Sequence, residues 1–282
     1  VDANTMAPGA CLNGGAPDRA VYGNMPASVA TAVFHSMRTL LLALLAAGVP
    51  LPGFAQSSCS SDGQAAPAVL YERFINADCA SCWGQAAAHV PGPSALVLDW
   101  IVPGSAGEDA PLSAAATTDA QARLEALQRP VPATTDTHID TVVAASATGT
   151  ATARASRPAR LRVAHGLPFN DYLGTSIAFT PAAVAQRGAP PSSGPWNFYL
   201  LLVESVPAGT DGTPVARQVV RNVLTGIWAQ PAPSPKRLQH AWQELRPARI
   251  AAGARVENLY MVGWVQDAQG SVVVATRSVC RQ

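Results

Sequence analysis

Cys79 and Cys82, two residues apart, are the side chains in this sequence best placed to do chemistry. They follow an apolar, β-leaning run, VLYERFIN, and precede residues 85–89, QAAAH, which read as helix. A strand that delivers a Cys-x-x-Cys pair to the start of a helix is the arrangement of a dithiol redox motif. Cys79 is expected to be the attacking thiol, helped by the unpaired N–H groups of the helix start. Cys82 then resolves the mixed disulfide. Asp78 opposes this, because a neighbouring carboxylate disfavours a thiolate. The competing reading is a local disulfide that staples the chain and never turns over.

Other candidate chemistry is thinner. Cys79, Cys82 and His89 offer donors suited to copper or zinc, but His89 falls about two helical turns beyond Cys82. No second Cys-x-x-Cys and no His-x-His is present, and His138 and His165 stand alone. The sequence therefore predicts neither a metal nor a cofactor. Trp83 and Trp100 read as core aromatics that could also shield the sulfurs. Glu72 reads as a solvent-facing strand residue, with proton acceptor for Cys82 as the sharper alternative. Arg221 and Asn222 read as a pairing or turn element, and Asp99 and Asp136 form no carboxylate pair. No Gly-x-Ser-x-Gly, phosphate-loop or dinucleotide fingerprint occurs, so hydrolase, nucleotide and NAD-dependent classes find no support. The net charge is +1 with scattered basic residues, which gives no footprint for nucleic acid.

The elements that must position the pair begin with a targeting segment. Met37-Arg38-Thr39 opens a signal peptide whose apolar stretch, residues 40–49, is too short to span a bilayer. Cleavage is expected after Ala55. Residues 1–36 then read as a disordered upstream extension from a misassigned start, with residues 37–55 as the signal peptide. The mature chain is expected in the periplasm or outside the cell, with no membrane contact after cleavage. It would keep Cys59, Cys79, Cys82 and Cys280, an even number suited to an oxidising compartment. Four cysteines allow three pairings. Proximity favours Cys79 with Cys82, and Cys59 with Cys280 would then join the two ends.

With 48% hydrophobic and 13% charged residues the chain can bury a sizeable core, and 24 prolines with 22 glycines favour a loop-rich β protein over a helix bundle. Residues 68–75 read as a strand, 79–90 as a helix, and Ala95–Val102 as a buried strand parallel to the first. Residues 104–111 read as loop and 114–128 as helix. Residues 134–145 fit either strand or helix. The second half is β-rich, with strands over 160–164, 176–180, 197–206 and 217–224, an undecided 238–245, and a closing hairpin over 258–266 and 271–278. The expected division is an α/β domain over 56–150 and a mostly antiparallel β-sandwich over 151–282, α+β overall.

These motifs, in this order, resemble the secreted thioredoxin-like proteins of unknown function found in proteobacteria, related to the outer-membrane-protein-28-like proteins. Tyr71-Glu72-Arg73-Phe74 followed by Cys79-Ala80-Ser81-Cys82 is similar to the group's strand and Cys-x-x-Cys. Leu98-Asp99-Trp100 is similar to its second strand, Val219–Leu224 to its sandwich motif, and Val265-Gln266-Asp267 to its penultimate strand. The resemblance covers roughly residues 67–280. It implies a thioredoxin-like domain followed by a sandwich, and exchange with a thiol- or disulfide-containing protein. Trp83 stands where the group usually has proline. Pro130 and Pro132 are the candidates for the cis-proline that faces the cysteines in such folds.

Overall fold

Apolar side chains on both faces of the run WNFYLLLVESV require a strand covered from two sides. The computed structural model places it near the middle of a seven-stranded sheet. The structure describes residues 59–86, 92–143, 158–182, 195–229 and 241–280, all within the second of two compact units, Gln56–Gln282. The expected signal peptide and upstream extension, residues 1–55, lie outside the described residues.

In chain order the elements are β1 (Cys59–Ser60), β2 (Val69–Asn76), α1 (Ala80–Gly84), β3 (Ala95–Val102), α2 (Thr118–Ala126), β4 (Thr135–Thr141), β5 (Arg160–Phe169), β6 (Tyr172–Thr180), β7 (Trp196–Val206), β8 (Arg217–Trp228), β9 (Trp242–Arg249), β10 (Leu259–Gln266), β11 (Val272–Arg277) and β12 (Val279–Cys280). The described chain is thus mostly β, with two sheets. One is mixed, in the order β11-β10-β7-β8-β3-β2-β4, and the other antiparallel, in the order β12-β1-β5-β6-β9. The expected strands 68–75, Ala95–Val102, 197–206 and 217–224 and the closing hairpin are all present, and the parallel pairing of β2 with β3 is as expected.

The architecture joins what the sequence divides. β3 runs parallel to β8 at Asp99 and Val219, so strands from both halves of the chain share one sheet. The boundary expected near residue 150 lies outside the described residues. β4 resolves the ambiguity over 134–145 as an edge strand antiparallel to β2. β9 likewise resolves the undecided stretch as strand, paired with β6.

Both helices are shorter than the composition suggests. Thr117 caps α2, its hydroxyl accepting from the Ala120 N–H at 3.2 Å, so the helix starts after residues 113–115 have formed a 3₁₀ turn. It stops in a Schellman motif, with Gln128 at φ 55°, its N–H on the Glu125 carbonyl, and the Arg129 N–H on the Leu124 carbonyl. α1 has five residues, and residues 87–90 of its expected range lie outside the described residues.

The large sheet separates two environments. On one face, Leu70, Phe74, Leu98, Trp100, Leu201, Val262 and Trp264 pack with Ala120 and Leu124 of α2. The opposite face is covered in two parts. Over β7 and β10, residues such as Phe198, Leu200, Leu202 and Met261 meet Val163, Ile177 and Phe179 of the five-stranded sheet. Over β2 and β3, Ile75 and Ile101 meet Cys82, Ala77 and Ala110.

Glu72 is fully buried on the α2 face. A carboxylate there requires a partner, and Arg123 of α2 supplies it. Arg123 Nε donates to Oε1 at 2.9 Å and Nη2 to Oε2 at 2.6 Å, while Trp100 Nε1 donates to Oε1 at 3.1 Å. The guanidinium also lies over the Tyr199 and Trp264 rings, 4.9 and 5.3 Å from their centroids. Glu72 is therefore neither solvent-facing nor a partner of Cys82. Strand alternation turns it to the face opposite Ile75, against which Cys82 packs.

Arg123→Met is expected to cost about 3–5 kcal/mol in urea unfolding, because it leaves the Glu72 carboxylate buried without its cation. The double variant Glu72→Met/Arg123→Met should recover most of that loss. A single variant as stable as the parent would show that the pair does not hold α2 to the sheet.

Candidate functional site

β2 ends in a turn that sets the first cysteine. The Asn76 side chain accepts the Asp78 N–H at 2.8 Å, and the Asn76 carbonyl accepts the Cys79 N–H at 3.0 Å. Asn76 Nδ2 donates to the Pro132 carbonyl at 2.8 Å, so the Pro130–Pro132 segment lies against the turn that precedes the pair. No cis peptide bond occurs among the described residues. The turn delivers Cys79 as the N-cap of α1 and Cys82 inside it, and the two sulfurs are joined in a disulfide. Cys79 is half-buried and Cys82 is buried in the cluster of Ile75, Ile101 and Val219. Ser81, between them, is exposed, and its hydroxyl lies 3.6 Å from Cys79 Sγ. The first cysteine is thus less covered than the second.

Asp78 does not turn towards the sulfurs. Its carboxylate accepts the Ser105 N–H at 2.7 Å, the Ser105 hydroxyl at 2.9 Å and the Ala106 N–H at 3.2 Å. The Ser105 hydroxyl is the largest cause holding this acid below the usual carboxylate range. A Cβ at Gly104 would collide with the Asp78 carboxylate, so glycine is required where the loop closes over it. Asp78 thus ties the 104–106 loop to the start of α1.

The far end of α1 is held by a residue that sequence reading passes over. Arg217, at the start of β8, is fully buried and donates from Nη2 to the carbonyls of Cys82 (3.0 Å), Trp83 (2.6 Å) and Gln85 (2.6 Å). They belong to the helix end, where carbonyls lack following helical partners, although the Cys82 carbonyl also accepts the Gln85 N–H at 3.4 Å. With them taken, the chain turns extended at Gln85. Thr213 Oγ1 also donates to the Trp83 carbonyl at 3.0 Å, and Trp83 Nε1 donates to the Asp211 carbonyl at 2.7 Å. The turn between β7 and β8, with Gly209, Asp211 and Gly212 all at positive φ, therefore clasps α1. Trp83 packs beside the cysteine cluster and beneath the Arg217 guanidinium, 5.4 Å from its centroid. Trp100 lies in the α2-facing core, as expected of a core aromatic, and away from the cysteine cluster.

Behind α1 sits Asp99, fully buried. Oδ1 accepts from Arg73 Nε at 2.6 Å and pairs with Arg73 Nη2. Oδ2 accepts the Gln218 N–H at 2.7 Å, and Arg217 Nη1 stands 3.9 Å from Oδ1. An acid inside ALVLDWIV and a basic residue inside VLYERFIN were the legible signal for this cluster, because buried charges come paired. Arg221 pairs with Glu204 at 2.7 Å across β7 and β8, the pairing role expected of it. Asp136 is held by Arg129 at 2.6 Å.

The second disulfide joins Cys59 to Cys280, directly opposed on β1 and β12. His165 faces Cys59 from β5, so Cys59, Cys280 and His165 stand in a row across three strands. Glu72, His138 and Asp140 form a second group with donor atoms close together. Neither is arranged as a free ligand set, because the two sulfurs are bonded to each other and Glu72 is engaged by Arg123. His89 lies outside the described residues. No helix among the described residues is long and apolar enough to cross a membrane.

No protein-family model matches the chain, and no curated protein matches it. The fold and site alone define what it is: a mostly β, two-sheet chain that presents a Cys-x-x-Cys disulfide at a strand–helix junction.

Two measurements check the second disulfide and its neighbour. Cys59→Ser/Cys280→Ser is expected to cost about 2–5 kcal/mol of stability, since this bridge closes nearly the whole described chain. Unchanged stability would show that the strands alone hold the two ends. His165 is buried, and burial pushes its pKa below the ordinary value of 6.5. The unfolded chain then takes up the proton first. Stability from this group is complete above about pH 6.5 and is lost as pH falls towards the depressed folded value. Urea midpoints between pH 7.5 and pH 5 should fall less steeply in His165→Gln than in the parent, and equal slopes would remove His165 as their cause.

Proposed function

We propose that this is a secreted or periplasmic thioredoxin-like protein that carries out thiol–disulfide exchange through Cys79 and Cys82. The observation that carries the reading is the placement of the pair. The disulfide sits where β2 passes into α1, with Cys79 half-buried and Cys82 buried. A substrate thiolate can approach Cys79, and Cys82 is positioned to leave and later return.

The chain order around the pair supports a thioredoxin-like unit. β2, α1, β3, α2 and β4 alternate, β2 and β3 are parallel, and β4 returns antiparallel beside β2. Pro130 and Pro132 precede β4, where such a unit places its substrate-holding loop, and the Pro132 carbonyl contacts Asn76 at the pair's turn, but neither proline is the cis-proline expected there. The resemblance to the secreted thioredoxin-like group points the same way. So do the two disulfides, which need an oxidising compartment to persist. The partner is then a protein bearing a thiol or a disulfide, with the rest of the large sheet and the five-stranded sheet as its platform.

A second reading rests on one specific observation. Arg217, Thr213 and the Asp211 carbonyl hold α1 so closely that the bridge could serve as a staple in a non-enzymatic binding or structural protein. The reduction potential of the pair separates the two. In residues 56–282 carrying Cys59→Ser/Cys280→Ser, a value between about −120 and −270 mV in glutathione buffer is expected. A value below about −300 mV would mark an inert bridge and end the exchange reading.

A further inference from the structure

The charge beneath α1 does not cancel. Arg73 and Arg217 share the single carboxylate of Asp99, whose Oδ2 is already engaged by the Gln218 N–H. Arg217 is fully buried, and among the described residues its Nη1 has no hydrogen-bond partner, only Asp99 Oδ1 at 3.9 Å. Burial lowers the pKa of this guanidinium from its ordinary range and repulsion from Arg73 adds to that, while Asp99 opposes it. The site therefore carries a surplus buried cation that a nearby anion would relieve. The same side chain donates to the Cys82 carbonyl at 3.0 Å, and Cys82 is itself buried. In so dry a setting the attraction between a guanidinium and a thiolate is much stronger than in water.

We infer that Arg217 is a positioning residue for the Cys79–Cys82 pair, stabilising the Cys82 thiolate and poising the disulfide to accept electrons from dithiol proteins. The inference rests on the exchange reading and gives it a direction. A thiolate of the substrate attacks Cys79 Sγ, the Cys79–Cys82 bond breaks, and Cys82 departs with the electron pair as a thiolate next to the cation. The second substrate thiolate then attacks the substrate sulfur of the mixed disulfide. The substrate disulfide forms and Cys79 leaves as a thiolate. Two electrons pass from the substrate dithiol to the pair, and the substrate's two thiol protons pass to solvent or to the departing sulfurs.

The asymmetry this requires is present. The negative charge nearest Cys79, that of Asp78, is turned onto Ser105 and Ala106, and the positive charge lies at the Cys82 end. The five-residue helix offers only a short stack of aligned peptide dipoles, so a fixed cation is the stronger source of field.

The test is the equilibrium of the pair against a dithiol and glutathione, in full-length protein with Cys59→Ser/Cys280→Ser. Arg217→Gln is expected to make the pair at least tenfold harder to reduce, about 30 mV more negative, and to raise the pH at which Cys82 becomes reactive to iodoacetamide. Arg217→Lys keeps the charge but loses the fan of three bonds, so it should stay within about threefold of the parent. Gln and Lys variants that shift equally would assign Arg217 a purely structural role and overturn the inference, as would a folded Arg217→Gln with the parent's equilibrium. If Arg217→Gln does not fold, Asp99→Asn decides with the opposite sign. It keeps the Arg217 side chain and removes its carboxylate, so the pair should become at least threefold easier to reduce, and an unchanged equilibrium overturns the inference. A parent pair that never exchanges with a dithiol peptide would sink the exchange reading alone, because the variants' equilibria against small dithiols still measure what Arg217 does.

Discussion

One buried carboxylate ties three neighbouring strands of the large sheet together. β3 and β8 run parallel but pair through a single register position, Asp99 with Val219, so few ladder bonds join the sheet there. Asp99 adds to them. Its two oxygens bind Arg73 on one side and the Gln218 main chain on the other, across three neighbouring strands. A buried carboxylate is tolerated only with such partners. Its demand for cations also fixes where Arg217 lies, and Arg217 in turn ends α1 and holds the carbonyl of Cys82. The disulfide site depends in this way on a charge in the core of the sheet behind it.

The large sheet keeps two polar networks apart. Glu72, Arg123 and Trp100 lie on the α2 face, bracketed by Tyr199 and Trp264. Arg73, Asp99 and Arg217 lie on the face that carries α1. Glu72 and Arg73 are adjacent in sequence yet serve opposite faces, because successive strand residues alternate. The first network locks a helix to the sheet. The second ties the sheet to the end of α1 through the Arg217 bonds to the Cys82, Trp83 and Gln85 carbonyls. A slip of one residue in β2 would exchange the two sets and bury both without partners, so the networks also specify register.

The five-stranded sheet stands away from this chemistry and closes the chain. Its inner face fills the core under β7 and β10 with Val163, Ile177 and Phe179, and its short β1 and β12 bring Cys59 opposite Cys280. The unit thus carries one disulfide at its chain ends and another at a strand–helix junction, in surroundings that differ sharply. The first lies in a strand row beside a buried histidine, and the second lies between an exposed serine and a buried arginine.

Local pattern was enough for much of this. Alternation and apolar runs determined most of the strands, the parallel β2–β3 pair and the closing hairpin, because period-2 burial is written directly into residue type. The spacing of Cys79 and Cys82 marked the site, and pairing those two by proximity left Cys59 for Cys280. Helix lengths were not legible. α1 ends because a side chain more than 130 positions away in the sequence takes its carbonyls, and α2 begins where Thr117 caps it. Only the tertiary structure decided that strands of both halves form one sheet, that Glu72 faces away from the cysteines, and that Arg73, Asp99 and Arg217 converge. Each of these depends on which long-range partner a charged side chain finds when its strand is buried, and a sequence records the charge but not the partner.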